Sequence, residues 1–315
     1  MSSGRGGGRS YRPLSETEVG TLRDQPLDDL QKLLDKVKLV GRFEDLLKAP
    51  SDDDLRALFL DAGQGNCAVL KLPDGRIMVI DCNTVGADDN VVNLLKRAGI
   101  TRIDVLVATH PDRDHMSGLA HIAKVFEVTE LWKVAYEKTT ENASQESRET
   151  YEEYERAVEA LRCEGTRILN PTVDSYDRKF GGASVEVLAP FSRNPTDYTN
   201  ANDACMVLRI NHAGQSVLFA ADTTAKTWDV LLKQGGVKAT VFQASHHGAE
   251  SGFHPDLMKS VKPELVVVSV GSNAFGHPHS APMGEYGKAS KGVVRTDDGL
   301  VAVHVKKDGT MDFVQ

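Results

Sequence analysis

Ile103-Asp104-Val105-Leu106-Val107-Ala108-Thr109-His110-Pro111-Asp112-Arg113-Asp114-His115 is the stretch that decides how the chain reads. Its first half is an apolar run of strand type. Its second half is a short loop carrying four potential metal ligands, His110, Asp112, Asp114 and His115. Loops on the end of a rigid strand are a usual place for catalytic groups. Imidazoles and carboxylates at this density are costly to assemble unless a cation holds them together. The spacing H-x-D-x-D-H offers two ligand types on each side of a tight turn, enough to serve two metal ions. A solvated polar loop is the plainer reading, and the rest of the chain argues against it.

The same arrangement recurs. Asp81 closes the run Ile77-Met78-Val79-Ile80, and Asp222 follows Ser216-Val217-Leu218-Phe219-Ala220. His246 and His247 follow Ala239-Thr240-Val241-Phe242, and His277 and His279 follow Leu265-Val266-Val267-Val268-Ser269-Val270. One histidine after a strand is ordinarily structural. Five polar clusters, each at a strand end, describe a site built along one edge of a sandwich.

Working outward, residues 1–14 read as a disordered tail. Residues 15–50 read as an accessory helical segment. Ser15-x-x-Glu18 has the form of a capping box, and Leu27, Leu30, Leu33, Leu34 and Val37 share one helical face before Gly41. A shorter helix around Phe43, Leu46 and Leu47 ends near Pro50. The main domain, over 52–315, follows. It opens with a meander over Leu55–Leu60, Cys67–Leu72 and Ile77–Ile80, turned by Pro73-Asp74-Gly75. Helices are expected at Asp89–Ala98, Leu119–Val125, Thr224–Lys233 and His254–Ser260, with further strands at Ala183–Ala189 and Met206–Ile210. The Glu-rich stretch 136–165 reads as a largely helical surface insertion. Two meanders, each with helices, predict an α/β fold: a four-layer αββα sandwich with an N-terminal helical extension.

At 315 residues and 40% hydrophobic content the chain can bury a large core. Its longest apolar runs fall short of the ~18 residues a membrane span needs, so no membrane contact is expected. The first residues lack an apolar signal core, and the four cysteines form no C-x-x-C pair. Reduced thiols and a cytoplasmic location are the expectation. A net charge of −8 speaks against tight non-specific binding of DNA. The chain has no G-x-S-x-G elbow, P-loop or dinucleotide fingerprint. Gly63-Gln64-Gly65 is a lone Gly-rich turn that lets the backbone bend close to the site.

These motifs resemble the metallo-β-lactamase superfamily, and more closely the hydrolase domain of ComEC-type competence proteins. The resemblance is carried by Leu60-Asp61-Ala62-Gly63-Gln64-Gly65-Asn66, Val79-Ile80-Asp81, Thr109-His110-Pro111-Asp112-Arg113-Asp114-His115, Asn202-Asp203-Ala204-Cys205, Leu218-Phe219-Ala220-Ala221-Asp222, His246-His247-Gly248, Gly276-His277-Pro278-His279 and Arg295-Thr296-Asp297-x-Gly299. It spans about residues 55–315. It implies the metallo-β-lactamase fold with two divalent ions, Zn²⁺ or Mn²⁺. By the same resemblance His110 and Asp112 hold one ion, while Asp114 and His115 hold the other. Asp222 bridges them, and His247 completes the second site unless His246 does so. Asp81 orients a ligand imidazole from outside, as such carboxylates do. His279 is a further ligand or a general acid, with His277 next in line. Asp114, His279 and Asp81 are therefore the candidate catalytic residues, and His277 and Arg295 the candidate substrate contacts. Lys291 and Lys71 are further candidate phosphate contacts.

Three departures stand out. Asp112 replaces the histidine of the usual superfamily loop, although the ComEC-like branch commonly has this aspartate. Asn202 and Asp203 occupy the stretch where many relatives supply another histidine. Cys82-Asn83 stand where glycines are frequent, which is expected to narrow the mouth of the site. An oxygen-rich first site takes Mn²⁺ as readily as Zn²⁺. The resemblance implies a metal-dependent hydrolase using a metal-bound hydroxide, a phosphodiesterase or nuclease acting on nucleic acid or a small phosphoester. The alternatives are a hydrolase of a small ester, lactone or phosphocholine ester, and a non-catalytic adaptor that binds a protein partner through residues 15–50.

Overall fold

The computed structural model describes residues 43–83, 91–141, 143–173 and 177–315. The tail 1–14 and the helix expected over 27–37 lie outside them. In chain order the first half runs α1 (Phe43–Lys48), β1 (Leu55–Phe59), β2 (Cys67–Lys71), β3 (Ile77–Cys82), α2 (Val91–Arg97), β4 (Arg102–Ala108), α3 (Arg113–Met116), α4 (Leu119–Val125), β5 (Glu127–Lys133), α5 (Gln145–Cys163) and β6 (Arg167–Leu169). The second half runs β7 (Asp177–Phe180), β8 (Ala183–Ala189), β9 (Val207–His212), β10 (Gln215–Phe219), α6 (Ala225–Gln234), β11 (Val241–Gln243), α7 (Leu257–Val261), β12 (Leu265–Val268), α8 (Ser280–Ala289), β13 (Gly292–Arg295), β14 (Val301–Val305) and β15 (Met311–Val314). One sheet has the order β15-β14-β1-β2-β3-β4-β5-β6, the other β13-β12-β11-β10-β9-β8-β7.

Side-chain alternation along the strands creates the four layers. In β1, Leu55, Ala57 and Phe59 point into the space between the sheets, while Leu58 points out to the helices. Phe59 and Phe219 stack across that space with ring centroids 5.4 Å apart. On the outer face of the first sheet, Val69, Val79 and Leu106 meet α2, α4 and α5. On the outer face of the second, Leu218, Phe242 and Val266 meet Trp228, Leu231, Leu257 and Tyr286. With both faces covered, β1, β2 and β3 are buried at every position, which is why they read as mostly apolar runs rather than alternating ones.

The stretch 136–165 is not a surface insertion. Its helix α5 buries Tyr154, Ala157, Val158 and Leu161, an apolar stripe spaced i, i+3, i+4 and i+7 beneath a charged exterior. It is part of the outer helical layer against the first sheet. Within α1, Leu47 enters the same core, and Glu44 pairs with Arg97 at 2.6 Å. No described helix is long and apolar enough to cross a membrane.

Strands β3 and β4 are parallel, as are β10, β11 and β12. Their carboxyl ends therefore lie together at one edge, the position from which α/β sheets present their ligands.

Candidate metal centre

Asp81 belongs to β3, and its neighbour in the sheet is β4. Its carboxylate accepts hydrogen bonds from the Thr109 backbone N–H (2.9 Å) and hydroxyl (2.9 Å), and from His115 Nδ1 (2.7 Å). It is 1% exposed. The bond at Nδ1 leaves Nε2 of His115 as the lone-pair nitrogen, aimed at Asp222. His247 is fixed by the same device: its Nδ1 donates to the carbonyl of Ser269 at 2.8 Å, leaving Nε2 free.

Four ligand atoms then converge. Those of Asp114, His115, Asp222 and His247 all lie within 4.8 Å of one another. Asp222 Oδ1 is 3.0 Å from His115 Nε2 and 3.5 Å from His247 Nε2, and Asp114 Oδ2 is 3.3 Å from His247 Nε2. Ligands about 2.1 Å from a tetrahedral ion stand about 3.4 Å apart, so these separations match a coordination shell. Asp222 Oδ1, His115 Nε2, His247 Nε2 and His110 Nε2 are all buried and have no hydrogen-bond partner. Buried polar atoms left unpaired by the protein are costly, and a cation among the four ligands satisfies Asp222 Oδ1, His115 Nε2 and His247 Nε2 together. The donor set fits a divalent ion.

The electrostatics agree. Burial opposes charge on His115, yet the Asp222 and Asp81 carboxylates hold its pKa well above the usual imidazole value. Burial likewise opposes charge on Asp222, and His115 and His247 hold it well below the usual carboxylate range. Without a metal, a proton on His115 does part of the neutralising. An arriving cation displaces that proton.

The other oxygen of Asp222 faces a second group. Asp222 Oδ2 is 3.5 Å from His246 Nε2 and 3.9 Å from His110 Nε2, and His110 Nε2 is 3.6 Å from Asp112 Oδ2. His246 and His247 thus stand on opposite sides of one carboxylate: His247 in the closed group of four, His246 with His110. Burial and the neighbouring His115 push His110 below the usual imidazole pKa.

The backbone is bent to achieve this. Among the described residues, seven non-glycine positions have positive φ, and four of them are Asp81, Ala221, His246 and His247. Left-handed backbone costs about 1–3 kcal/mol per residue and gathers at functional sites. Here it lets the chain turn sharply off a strand and deliver its side chain to the sheet edge. Gly65 makes a matching close approach: a Cβ there would lie 2.2 Å from the Asp114 carbonyl oxygen.

The remaining candidates sit as follows. His277 lies beside both histidines, with ring centroids 5.5 Å from His246 and 6.3 Å from His247. Burial and its histidine neighbours lower its pKa to about 4. His279 stands at the start of α8, its Nδ1 accepts the Glu250 N–H at 3.0 Å, and its ring is 5.0 Å from that of His277. Arg295 is paired with Asp297 at 2.6 Å, and Lys291 with Glu264 at 3.1 Å. Lys71 is not a phosphate contact. It is buried, and its ammonium donates to the carbonyls of Leu47 and Ala49, closing the end of α1. Asn83 does not narrow the mouth either. Its side chain donates to the Ala62 and Gln64 carbonyls (both 2.8 Å) and accepts from Ser117, bracing the 62–65 turn from within. Asp203 binds Thr199, Thr224 and Lys226 and anchors the start of α6. Sequence reading missed Thr109 and Ser269 as supports. Both adjoin strand ends already singled out, which was the available signal. It also missed Lys138, whose ammonium lies 2.5 Å from Asp112 Oδ1.

The fold agrees with what known proteins show. The sequence profile of the metallo-beta-lactamase superfamily matches residues 60–269, more than half of the chain. Recombination protein 2 of Haemophilus influenzae is 26% identical over 256 residues, covering 79% of this chain and 29% of its own length. Competence protein ComA of Neisseria gonorrhoeae is 27% identical over 254 residues, covering 79% and 32%. The chain thus spans about a third of these relatives, which are of the ComEC type. The crystal structure of Zn²⁺-bound PqqB from Methylobacterium extorquens aligns with a TM-score of 0.48 at 11% identity, over 78% of this chain and 98% of that one. On the profile match over residues 60–269, the chain belongs to the metallo-β-lactamase superfamily of metal-dependent hydrolases.

Proposed function

We propose that this chain is a metal-dependent phosphodiesterase that cleaves nucleic acid. The observation that carries the reading is the donor set. Three carboxylates, Asp112, Asp114 and Asp222, share one space with the imidazoles of His110, His115 and His247. So many oxygens suit hard divalent cations and phosphate better than an all-imidazole site does. Relatives named for recombination and competence favour a nucleic-acid phosphodiester over a small ester. Phe275 adds to this. Its ring is 70% exposed and stacks on His277 at 5.6 Å, on a loop pinned by four hydrogen bonds of the Asn273 side chain. A rigid exposed aromatic beside a phosphate site suits a nucleobase, and such stacking contributes about 1–3 kcal/mol per base.

A divalent cation bound at this cluster supplies Lewis acidity and a water nucleophile at neutral pH. The chain's own part is positional. Asp81 and Ser269 hold His115 and His247 in the ligating tautomer. His279 accepts at Nδ1, so its neutral ring carries the proton on Nε2, the form that donates to a leaving oxygen.

The test uses protein stripped with EDTA and reloaded with Mn²⁺ or Zn²⁺. Oligonucleotides, RNA and bis(p-nitrophenyl) phosphate are the substrates. Cleavage should vanish with EDTA, return with metal, and for the polymers fall steeply with salt through counterion release. Failure to cleave any of these phosphodiesters sinks the proposal. The net charge of −8 favours a second reading, a small ester or phosphocholine substrate, whose hydrolysis would be insensitive to salt.

A further inference from the structure

Among the described residues, the ligand atoms that close to within 4.8 Å are those of Asp114, His115, Asp222 and His247. His110 and Asp112, the other half of the loop motif, stand outside that group. Asp112 already has a cation. Lys138, in the segment between β5 and α5, places its Nζ 2.5 Å from Asp112 Oδ1, while Asp112 Oδ2 faces His110 Nε2 at 3.6 Å. This lysine is held in place: its side chain is 22% exposed, and its backbone N–H donates to the Tyr151 hydroxyl of α5 at 3.3 Å.

We propose that Lys138 is a resident cation of the first metal position, competing with a divalent ion for Asp112, so that the centre binds one ion tightly and a second weakly. The inference rests on the reading of the cluster as a metal centre. Charge counting supports it. The three carboxylates facing the common space are balanced by one divalent ion plus the Lys138 ammonium. A second divalent ion overshoots that balance and must share Asp112 with a like charge a few ångströms away. Lysine is suited to the role because its ammonium is a compact point charge on a flexible stem, able to yield its place.

The experiment titrates the metal-free 315-residue chain with Mn²⁺ and with Zn²⁺. Calorimetry gives the two affinities, mass spectrometry the stoichiometry, and electron paramagnetic resonance detects exchange-coupled Mn²⁺ pairs. Wild type should take one ion tightly and couple a pair only at high metal. Lys138→Met, which keeps the aliphatic stem, should tighten the second ion by about tenfold or more and leave the first within about threefold. Lys138→Gln repeats the test in a polar form, and Lys138→Arg should retain the wild-type pattern. Circular dichroism verifies that each variant is folded. A second ion that binds Lys138→Met and Lys138→Gln no more tightly than wild type overturns the proposal, as does wild type filling both positions with equal affinity. A chain that binds no metal in any form overturns the metal-centre reading itself, a result distinct from either.

Discussion

Asp81→Asn separates the fold from the centre it supports. The side chain accepts three hydrogen bonds, two from Thr109 and one of 2.7 Å from His115 Nδ1. Asparagine keeps the shape and tolerates the left-handed backbone at φ 54. Its amide oxygen can still accept the Thr109 N–H. Its nitrogen must then face His115 Nδ1, and two donors cannot share that contact. The imidazole responds by accepting at Nδ1 and carrying its proton on Nε2, toward Asp222, where a metal needs the lone pair. What is lost is one charge-assisted hydrogen bond to a buried ligand, about 1.5–3 kcal/mol. That corresponds to a fall of about 10–100-fold in metal affinity, the range seen when outer carboxylates of metal-bound histidines are removed. Calorimetric titration of stripped protein with Zn²⁺ measures it, and nitrogen NMR of His115 reads the tautomer. Wild-type affinity in a folded Asp81→Asn protein would refute the reasoning, because His115 would then ligate without its orienting partner.

Two further outcomes follow from geometry and charge. Gly65→Ala places a methyl against the Asp114 carbonyl where 2.2 Å is available; metal affinity should drop and the urea midpoint should fall, and retention of both would show that the 62–65 turn is free to move. Asp114 has its carboxyl held at about 2 against an ordinary 3.8, burial opposing and the His247 and His115 imidazoles prevailing. Because the folded-state value is the lower one, Asp114 contributes stability above pH 3.8 that is lost as pH falls toward 2. The urea midpoint of metal-free protein should decline across that window, and Asp114→Asn should decline less; equal slopes would count against an ionised Asp114.

The layer architecture was legible because strand ends announce themselves: apolar runs such as Val217–Ala220 stop at turn and ligand residues. All four members of the closed group, Asp114, His115, Asp222 and His247, were named from the sequence, since each sits two to seven residues past such a run. The pairing of His246 with His110, and of His247 with Asp114, was not legible. It depends on two consecutive left-handed residues whose φ no residue pattern reveals. The helix over 145–163 misled for a compositional reason, its many glutamates masking a four-residue apolar stripe. Lys71 was read as a phosphate contact because a lysine's stem hides how far its ammonium can be turned inward. Lys138 gave no signal at all, lying 26 residues from the aspartate it neutralises.

Asp222 has a consequence for how the molecule comes into being. Asp114 and His115 follow β4 of the first sheet, whereas Asp222 and His247 follow β10 and β11 of the second. Neither half of the chain contains a complete set of ligands. A high-affinity ion is therefore a report that the sandwich has closed, because the ligands meet only when the two sheets have come together. Partly folded chains whose two sheets have not yet packed should be blind to metal, and uptake of an ion should follow sheet packing rather than precede it.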